Sequence, residues 1–228
     1  MQIVNTPATT LAMPLGHAHV ADLEACVDLI NSLEFDGPDG LPDEHLPTVD
    51  DAIEYFTARG LAHEAAIRAQ AESGPGGGDA WLQRFYATRA ALREVWDAQV
   101  EARTPGTAAL DSVNALLREA PRVELVPGIG GVGVGHRHTA DDPTGEALAR
   151  VIEPLVEAIA TGETARLRIC ANDACRWVFE DRSRAGRRRW CDMTSCGNRA
   201  KVQRYRSKQK AGDPVEPAVD RAPGDVLI

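Results

Sequence analysis

Apolar residues recur at helical spacing through most of the first 160 positions, and the breaks between the periodic stretches mark out a set of helices. Leu23, Cys26, Val27, Ile30 and Leu33 predict a first helix from about Ala21 to Glu34, ended by the turn-rich FDGPDGLPDE. Thr48 followed by Asp51 is a carboxylate variant of the capping box. It opens a second helix that runs to about Arg59, where Gly60 stops it. A third spans Leu61 to Glu72, and Ser73–Gly78 (SGPGGG) reads as a flexible break. The longest periodic stretch, Asp79 to about Ala102, carries Trp81, Leu82, Phe85, Leu92, Val95 and Trp96 on its apolar side. Further helices are expected over Thr107–Ala120, stopped by Pro121, and over Pro143–Thr161. Between them the period changes to two: Arg122–Val126 alternates, and GIGGVGVGHRH reads as a Gly-rich turn and a returning strand, a hairpin at about 122–138. The fold class is therefore mainly α with a small β-hairpin (α+β).

Composition agrees with this reading. Ala and Leu dominate while aromatics make up 5% of the chain, which favours helices, and a hydrophobic fraction of 43% is enough for a core. No apolar run approaches the roughly 20 residues that cross a bilayer. The N-terminus has no charged region followed by an unbroken apolar stretch, so the expectation is a cytoplasmic protein with no membrane partner. Residues Ala211 to Ile228, with three prolines and several acids, read as a disordered tail.

Cys170, Cys175, Cys191 and Cys196 form the pattern C-x4-C-x15-C-x4-C. Two short cysteine loops separated by a longer excursion can deliver four sulfurs to one tetrahedral zinc ion. Two disulfides are the competing arrangement, but they require an oxidising compartment. Four thiolates saturate the ion and leave no position for an activated water, so a structural site is expected. Cys26, on the apolar stripe of the first helix, reads as a core residue, since its acidic neighbours Asp22, Glu24 and Asp28 would raise a thiol pKa. Arg176–Glu180 alternates, and Asp181–Gly186 is a polar loop before Arg187-Arg188-Arg189-Trp190, so a β-hairpin is expected to join the two cysteine loops. Trp177, Phe179 and Trp190 would supply the small core that a metal alone cannot, or would stack bases.

Charge divides the chain. Thr161–Lys210 carries 14 basic and 5 acidic residues, whereas the remainder has a formal charge of −18. All three lysines, Lys201, Lys208 and Lys210, fall in the basic stretch. A polyanion would be repelled by the body and drawn to the cysteine region. After Cys196 the sequence should be helical, with Lys201, Arg204 and Lys208 along one stripe and Arg199, Arg206 and Lys210 along another. Together with Arg187, Arg188 and Arg189 these are the candidate phosphate contacts, with Asn198 near either a base edge or the backbone of the metal loop. Two other motifs carry little. Gly128, Gly130 and Gly133 satisfy G-x-G-x-x-G but lead into strand-like sequence, where a dinucleotide site needs a helix. His136 and His138 share a strand face and could chelate a metal, but exposed histidines on a hairpin are the commoner case. An enzymatic reading would gather His17, His19, Asp28 and Asn31, yet no nucleophile–base pair or open metal position accompanies them, so a non-enzyme is expected.

Cys191-Asp-Met-Thr-Ser-Cys-Gly-Asn-Arg199, preceded by C-x4-C and an Arg-rich run ending in Trp190, resembles the CGNR zinc finger, whose name is read here from Cys196, Gly197, Asn198 and Arg199. The preceding body resembles the ABATE domain that stands upstream of that finger in a family ascribed to stress-induced transcription regulation in bacteria. Asp28-Leu-Ile-Asn-Ser32 is similar to that family's D-x-x-N-T segment, with Ser in place of Thr. The resemblance implies a body over 1–165 that senses an effector or forms a homodimer, with Asp28, Asn31 and Ser32 as the candidate effector pocket, and a finger over 166–210 that binds double-stranded DNA. The alternative is a protein- or RNA-interaction module with a purely architectural zinc. Salt dependence separates DNA binding from a protein contact, because attachment through several phosphates weakens steeply with ionic strength.

Overall fold

The computed structural model describes residues 22–35, 41–120, 122–128, 131–137 and 142–211, with the side chains of most of the 122–137 hairpin and of Lys208, Lys210 and Ala211 excepted. Seven α-helices and three antiparallel strand pairs are found among these residues. Helix α1 is Leu23–Asn31, and the short strands β1 (Leu33–Glu34) and β2 (Asp43–Glu44) pair just after it. Helices α2 (Val49–Ala58), α3 (Glu64–Ser73), α4 (Gly77–Val100) and α5 (Thr107–Leu117) follow. The hairpin of β3 (Arg122–Gly128) and β4 (Gly131–Arg137) leads to α6 (Pro143–Thr161). Strands β5 (Leu167–Ile169) and β6 (Val178–Glu180) pair in the cysteine region, and α7 (Asn198–Ala211) closes the described chain.

Local chemistry explains the boundaries. Asp22 accepts from the Glu24 N–H at the start of α1. At α2 both halves of the capping box form, with Thr48 Oγ1 accepting from the Asp51 N–H at 3.2 Å and the Asp51 carboxylate from the Thr48 N–H at 3.0 Å. Leu61, expected to open the third helix, is instead a buried residue of the turn after Gly60, and α3 begins at Glu64. The glycine-rich segment is more ordered than its composition suggests: Gly77 and Gly78 already belong to α4. A Cβ on Gly78 would lie 2.9 Å from Val49 Cγ2, so glycine is what lets α4 start hard against α2.

Helix α4 is the axis of the body. All six residues expected on its apolar side are buried, Phe85, Leu92 and Trp96 completely. Phe85 meets Phe56 edge to face at 5.7 Å and stacks on Trp81 at 6.4 Å, typical spacings for aromatic pairs. Leu29 and Ile30 of α1 and Leu148, Val151, Ile152 and Leu155 of α6 complete this core. Cys26 is fully buried there and burial pushes its thiol up to about 12, which makes it inert. Helix α6 is capped by Asp142, which also binds Arg84 and Gln70, and it is stopped by Gly162 at φ +77°.

The β3–β4 hairpin forms in the register Val123↔His136 to Gly128↔Gly131. Among the described residues, Gly128 and Gly133 thus sit at a strand end and inside β4, in a hairpin rather than at the start of a helix that could receive a pyrophosphate. Gly130, His17, His19, His138 and residues 212–228 of the expected tail lie outside the described residues. No described helix is long and apolar enough to cross a membrane.

Candidate metal centre and nucleic-acid interface

The cysteine region is built on the pair β5–β6, in the register Leu167↔Glu180 and Ile169↔Val178. This corrects the expected hairpin. The strand after Cys175 pairs with the residues before Cys170, while Arg187–Trp190 forms no strand. Leu167–Ile169 does alternate, but three residues are too short a run for alternation to mark a strand. The two faces of the pair go to different places. Phe179 packs with Cys170, Cys175 and Cys196, and with Trp177, Trp190 and Cys191 at the edge, so the expected aromatic core of the finger is present. Leu167 and Val178, each 1% exposed, belong to the core of the helical body.

Cys170 follows β5 and its N–H donates to the Trp177 carbonyl at 2.7 Å. The loop to Cys175 is closed by the Cys175 and Arg176 N–H groups on the Asn172 carbonyl, and the Ala171 N–H donates to the Arg189 carbonyl. Four sulfurs converge within 4.8 Å of one another. Cys175 Sγ is 3.7 Å from Cys191 Sγ, which is 3.8 Å from Cys196 Sγ. A tetrahedral ion with metal–sulfur bonds of about 2.3 Å sets its sulfurs about 3.8 Å apart, whereas a disulfide would bring them to about 2.05 Å. All four cysteines are free, and the cluster fits a metal ion held by four thiolates. Without a cation, burial pushes Cys175 up to about 12, and burial with the neighbouring thiols raises Cys191. Burial works the same way on Cys196, but the Asn172 amide, donating to its sulfur at 3.5 Å, and the adjoining thiols outweigh it and lower that group. A cation shared by the four is what allows all of them to ionise together.

Two aspartates that the sequence did not single out shape the surroundings. Asp181, wholly buried, accepts from the Ser183 N–H at 3.0 Å and the Arg188 N–H at 2.8 Å; a hydrogen bond from the Ser183 side chain first, then those from the Arg188 and Ser183 N–H groups, hold its carboxyl down to about 2 against the upward pull of burial. Asp192 caps a five-residue π-turn, Met193–Gly197, by accepting from the Thr194 and Ser195 N–H groups at 2.7 and 2.8 Å. Asp followed closely by Thr and Ser ahead of a helical run is an N-cap signature and was readable; Asp181 had no such signal. A Cβ on Gly197 would meet Met193 Sδ at 2.9 Å, so a larger residue there would push the exposed Met193 side chain aside. The π-turn holds Cys196 and continues directly into α7, so one of the four clustered cysteines is built into the root of that helix.

The arginine run divides. Arg187 and Arg189 are exposed, with the Arg189 guanidinium 5.2 Å from the Trp190 ring. Arg188 turns inward: it donates to the Trp190 and Cys191 carbonyls and lies 4.8 Å over Phe179, so it holds the metal loop. Arg199, Lys201, Arg204 and Arg206 are exposed on α7, while for Lys208 the helix backbone alone is described. Asn198 donates to the Thr194 carbonyl at 3.0 Å, within the metal loop.

Asp28, Asn31 and Ser32 do come together, in the wall of a cleft of about 530 Å³ that also includes Tyr55, Arg59 and Trp177. Each already has work in the fold. Asp28 binds Arg59 at 2.6 Å, and Arg59 covers the Tyr55 ring. Ser32 donates to the Leu29 carbonyl and accepts from Arg89. Asn31 forms a two-way clamp on β6, its amide donating to the Val178 carbonyl and its oxygen accepting from the Val178 N–H, both at 2.9 Å. The Trp96 indole donates to the Arg168 carbonyl at 3.1 Å alongside.

A helical body clamped to a small four-cysteine finger, with a cationic helix rooted in the cysteine cluster, defines the class of this protein. The family comparison agrees. The model of the ABATE family, described as "Putative stress-induced transcription regulator", matches residues 23–162, and that of the CGNR zinc finger matches residues 166–209. The chain belongs to the ABATE family and carries a CGNR zinc finger behind its ABATE domain. No curated protein matches it. Both families are of regulatory or zinc-finger type, which points away from an enzyme.

Proposed function

We propose that this protein is a transcription regulator that binds duplex DNA through a finger organised by one zinc ion. Cys170, Cys175, Cys191 and Cys196 would hold the ion, whose contribution is to fix the β5–β6 pair and the root of α7. The observation that carries the reading is α7 itself: its side chains are exposed from Lys201 to Ser207, it leaves the metal centre, and it belongs to a stretch of net charge +9 on a chain whose remainder is −18. Arg187, Arg189, Arg199, Lys201, Arg204, Arg206 and Lys208 would meet phosphates, and the acidic body would keep the rest of the molecule off the polyanion. The cleft beside Asp28, Asn31 and Ser32 is the place for a small effector, because Trp177 belongs to the finger and a ligand there would touch both parts.

The test is a salt series on metal-replete full-length protein with duplex DNA. One zinc per chain is expected, and Cys191→Ser should abolish both zinc and DNA binding. Replacing Lys201, Arg204 and Lys208 by Ala should flatten the plot of log affinity against log salt by up to about three units, near one per phosphate contact. An unchanged slope refutes the role given to α7. No duplex binding by the parent protein, with capture of RNA or of a protein instead, would replace the reading by an interaction module.

A further inference from the structure

We infer that α7 reads sequence in the major groove through the face carrying Val202, Tyr205 and Gln209, with Tyr205 the principal specificity-determining residue. This rests on the DNA-binding reading above. At about 100° per residue, Asn198, Val202, Tyr205 and Gln209 fall within an arc of about 60°. Lys201, Arg204 and the backbone position of Lys208 flank it on one side; Arg199, Arg206 and the position of Lys210 flank it on the other. A central stripe between two cationic flanks is the arrangement that lets a helix lie along a groove with phosphates on both sides and base edges in front.

The members of the stripe differ in what they have free. Asn198, the residue nearest the metal, has its amide donated to Thr194. Val202 and Tyr205 are large apolar side chains left 47% and 50% exposed. The Tyr205 hydroxyl accepts from Gln209 Nε2 at 2.9 Å, which orients the phenol and directs its own O–H outward as a donor. In the major groove a phenol O–H finds an acceptor at guanine O6 or thymine O4 but meets amino donors on cytosine and adenine, and thymine adds a methyl that the Val202 methyls can meet. From Val202 to Gln209 the helix rises about 10 Å, the length of about three base steps. A protein groove is a poorer fit. A docking helix presents apolar anchors at i, i+3, i+4 and i+7, and counted from Val202 the last two are Arg206 and Gln209.

The experiment is selection from random duplex DNA by zinc-loaded full-length protein, compared with Tyr205→Ala and Tyr205→Phe. Zinc content and circular dichroism establish that the variants are folded, as exposed substitutions should be. The parent should select a motif. Tyr205→Ala should lose preference at one or two adjacent base pairs, weaken the selected site by about 5- to 150-fold, the range of one lost base contact, and keep the parent's affinity for random DNA and its salt slope. Tyr205→Phe should retain thymine preference and lose discrimination at the acceptor. An unchanged motif in Tyr205→Ala overturns the inference while leaving DNA binding intact; a parent that binds no duplex overturns both.

Discussion

Removing the Asn31 side chain tests how the body holds the finger. Asn31 is 8% exposed and exchanges two hydrogen bonds with the backbone of Val178, which is 1% exposed. In Asn31→Ala the Val178 N–H and C=O lose their partners beside a cleft whose wall here is nearly closed, Val178 being 1% exposed. A buried polar group left unsatisfied costs about 1–3 kcal/mol, so the pair costs about 2–6 kcal/mol. That is a large share of the 5–15 kcal/mol typical of a whole domain. Urea unfolding of zinc-loaded protein, followed by circular dichroism for the helices and by tryptophan emission, should show a lower midpoint at unchanged slope. Asp28→Asn is the control: its ion pair with Arg59 is a third or more exposed on both sides, and breaking it should cost under about 1 kcal/mol. A loss below about 1 kcal/mol for Asn31→Ala would refute the clamp, since water would then be reaching the Val178 peptide.

Truncation after Ala165 should leave a body that is still helical but destabilised by about 3–6 kcal/mol, because the buried Leu167 and Val178 each contribute about 1.5–3 kcal/mol to its core; binding of a hydrophobic dye and a lower urea midpoint would register this, and a midpoint equal to that of the full chain would show that the body is independent. Asp142 titrates below the usual aspartate range because, against the upward pull of burial, Arg84, Gln70 and the Gly145 N–H bind its charged form. A depressed folded pKa contributes stability above the unfolded value and loses it as pH falls through the folded one, so the stability gap between the parent and Asp142→Asn should be widest near neutral pH and shrink below the ordinary aspartate value; a gap that does not change with pH would refute the assignment.

Features that depend on neighbours in the chain were legible in the sequence. The capping box at Thr48, the apolar stripe of α4 and the two short cysteine loops are local patterns whose physics is complete within a few residues. What could not be read was decided by distant partners. Asn31 finds Val178 147 positions away, and in the sequence its segment is only a family-like motif on a helix. Arg187, Arg188 and Arg189 are identical as letters; the buried carboxylate of Asp181, by pinning the Arg188 backbone, helps set which of them turns inward. Strand β5 was hidden for the same reason, since Leu167 is apolar on behalf of the body rather than of the finger that follows it.

The double allegiance of the β5–β6 pair has a thermodynamic corollary. One face of the pair is the floor of the four-cysteine cluster and the other is a wall of the helical core, so a metal ion held by the cluster would be linked to the folding of the body. Zinc that binds only the folded form raises the stability of helices it never touches, by an amount that grows with the logarithm of its free concentration. Linkage is reciprocal: any ligand of the cleft between Asp28 and Trp177 that tightens zinc binding by some factor is itself held tighter by zinc by that same factor.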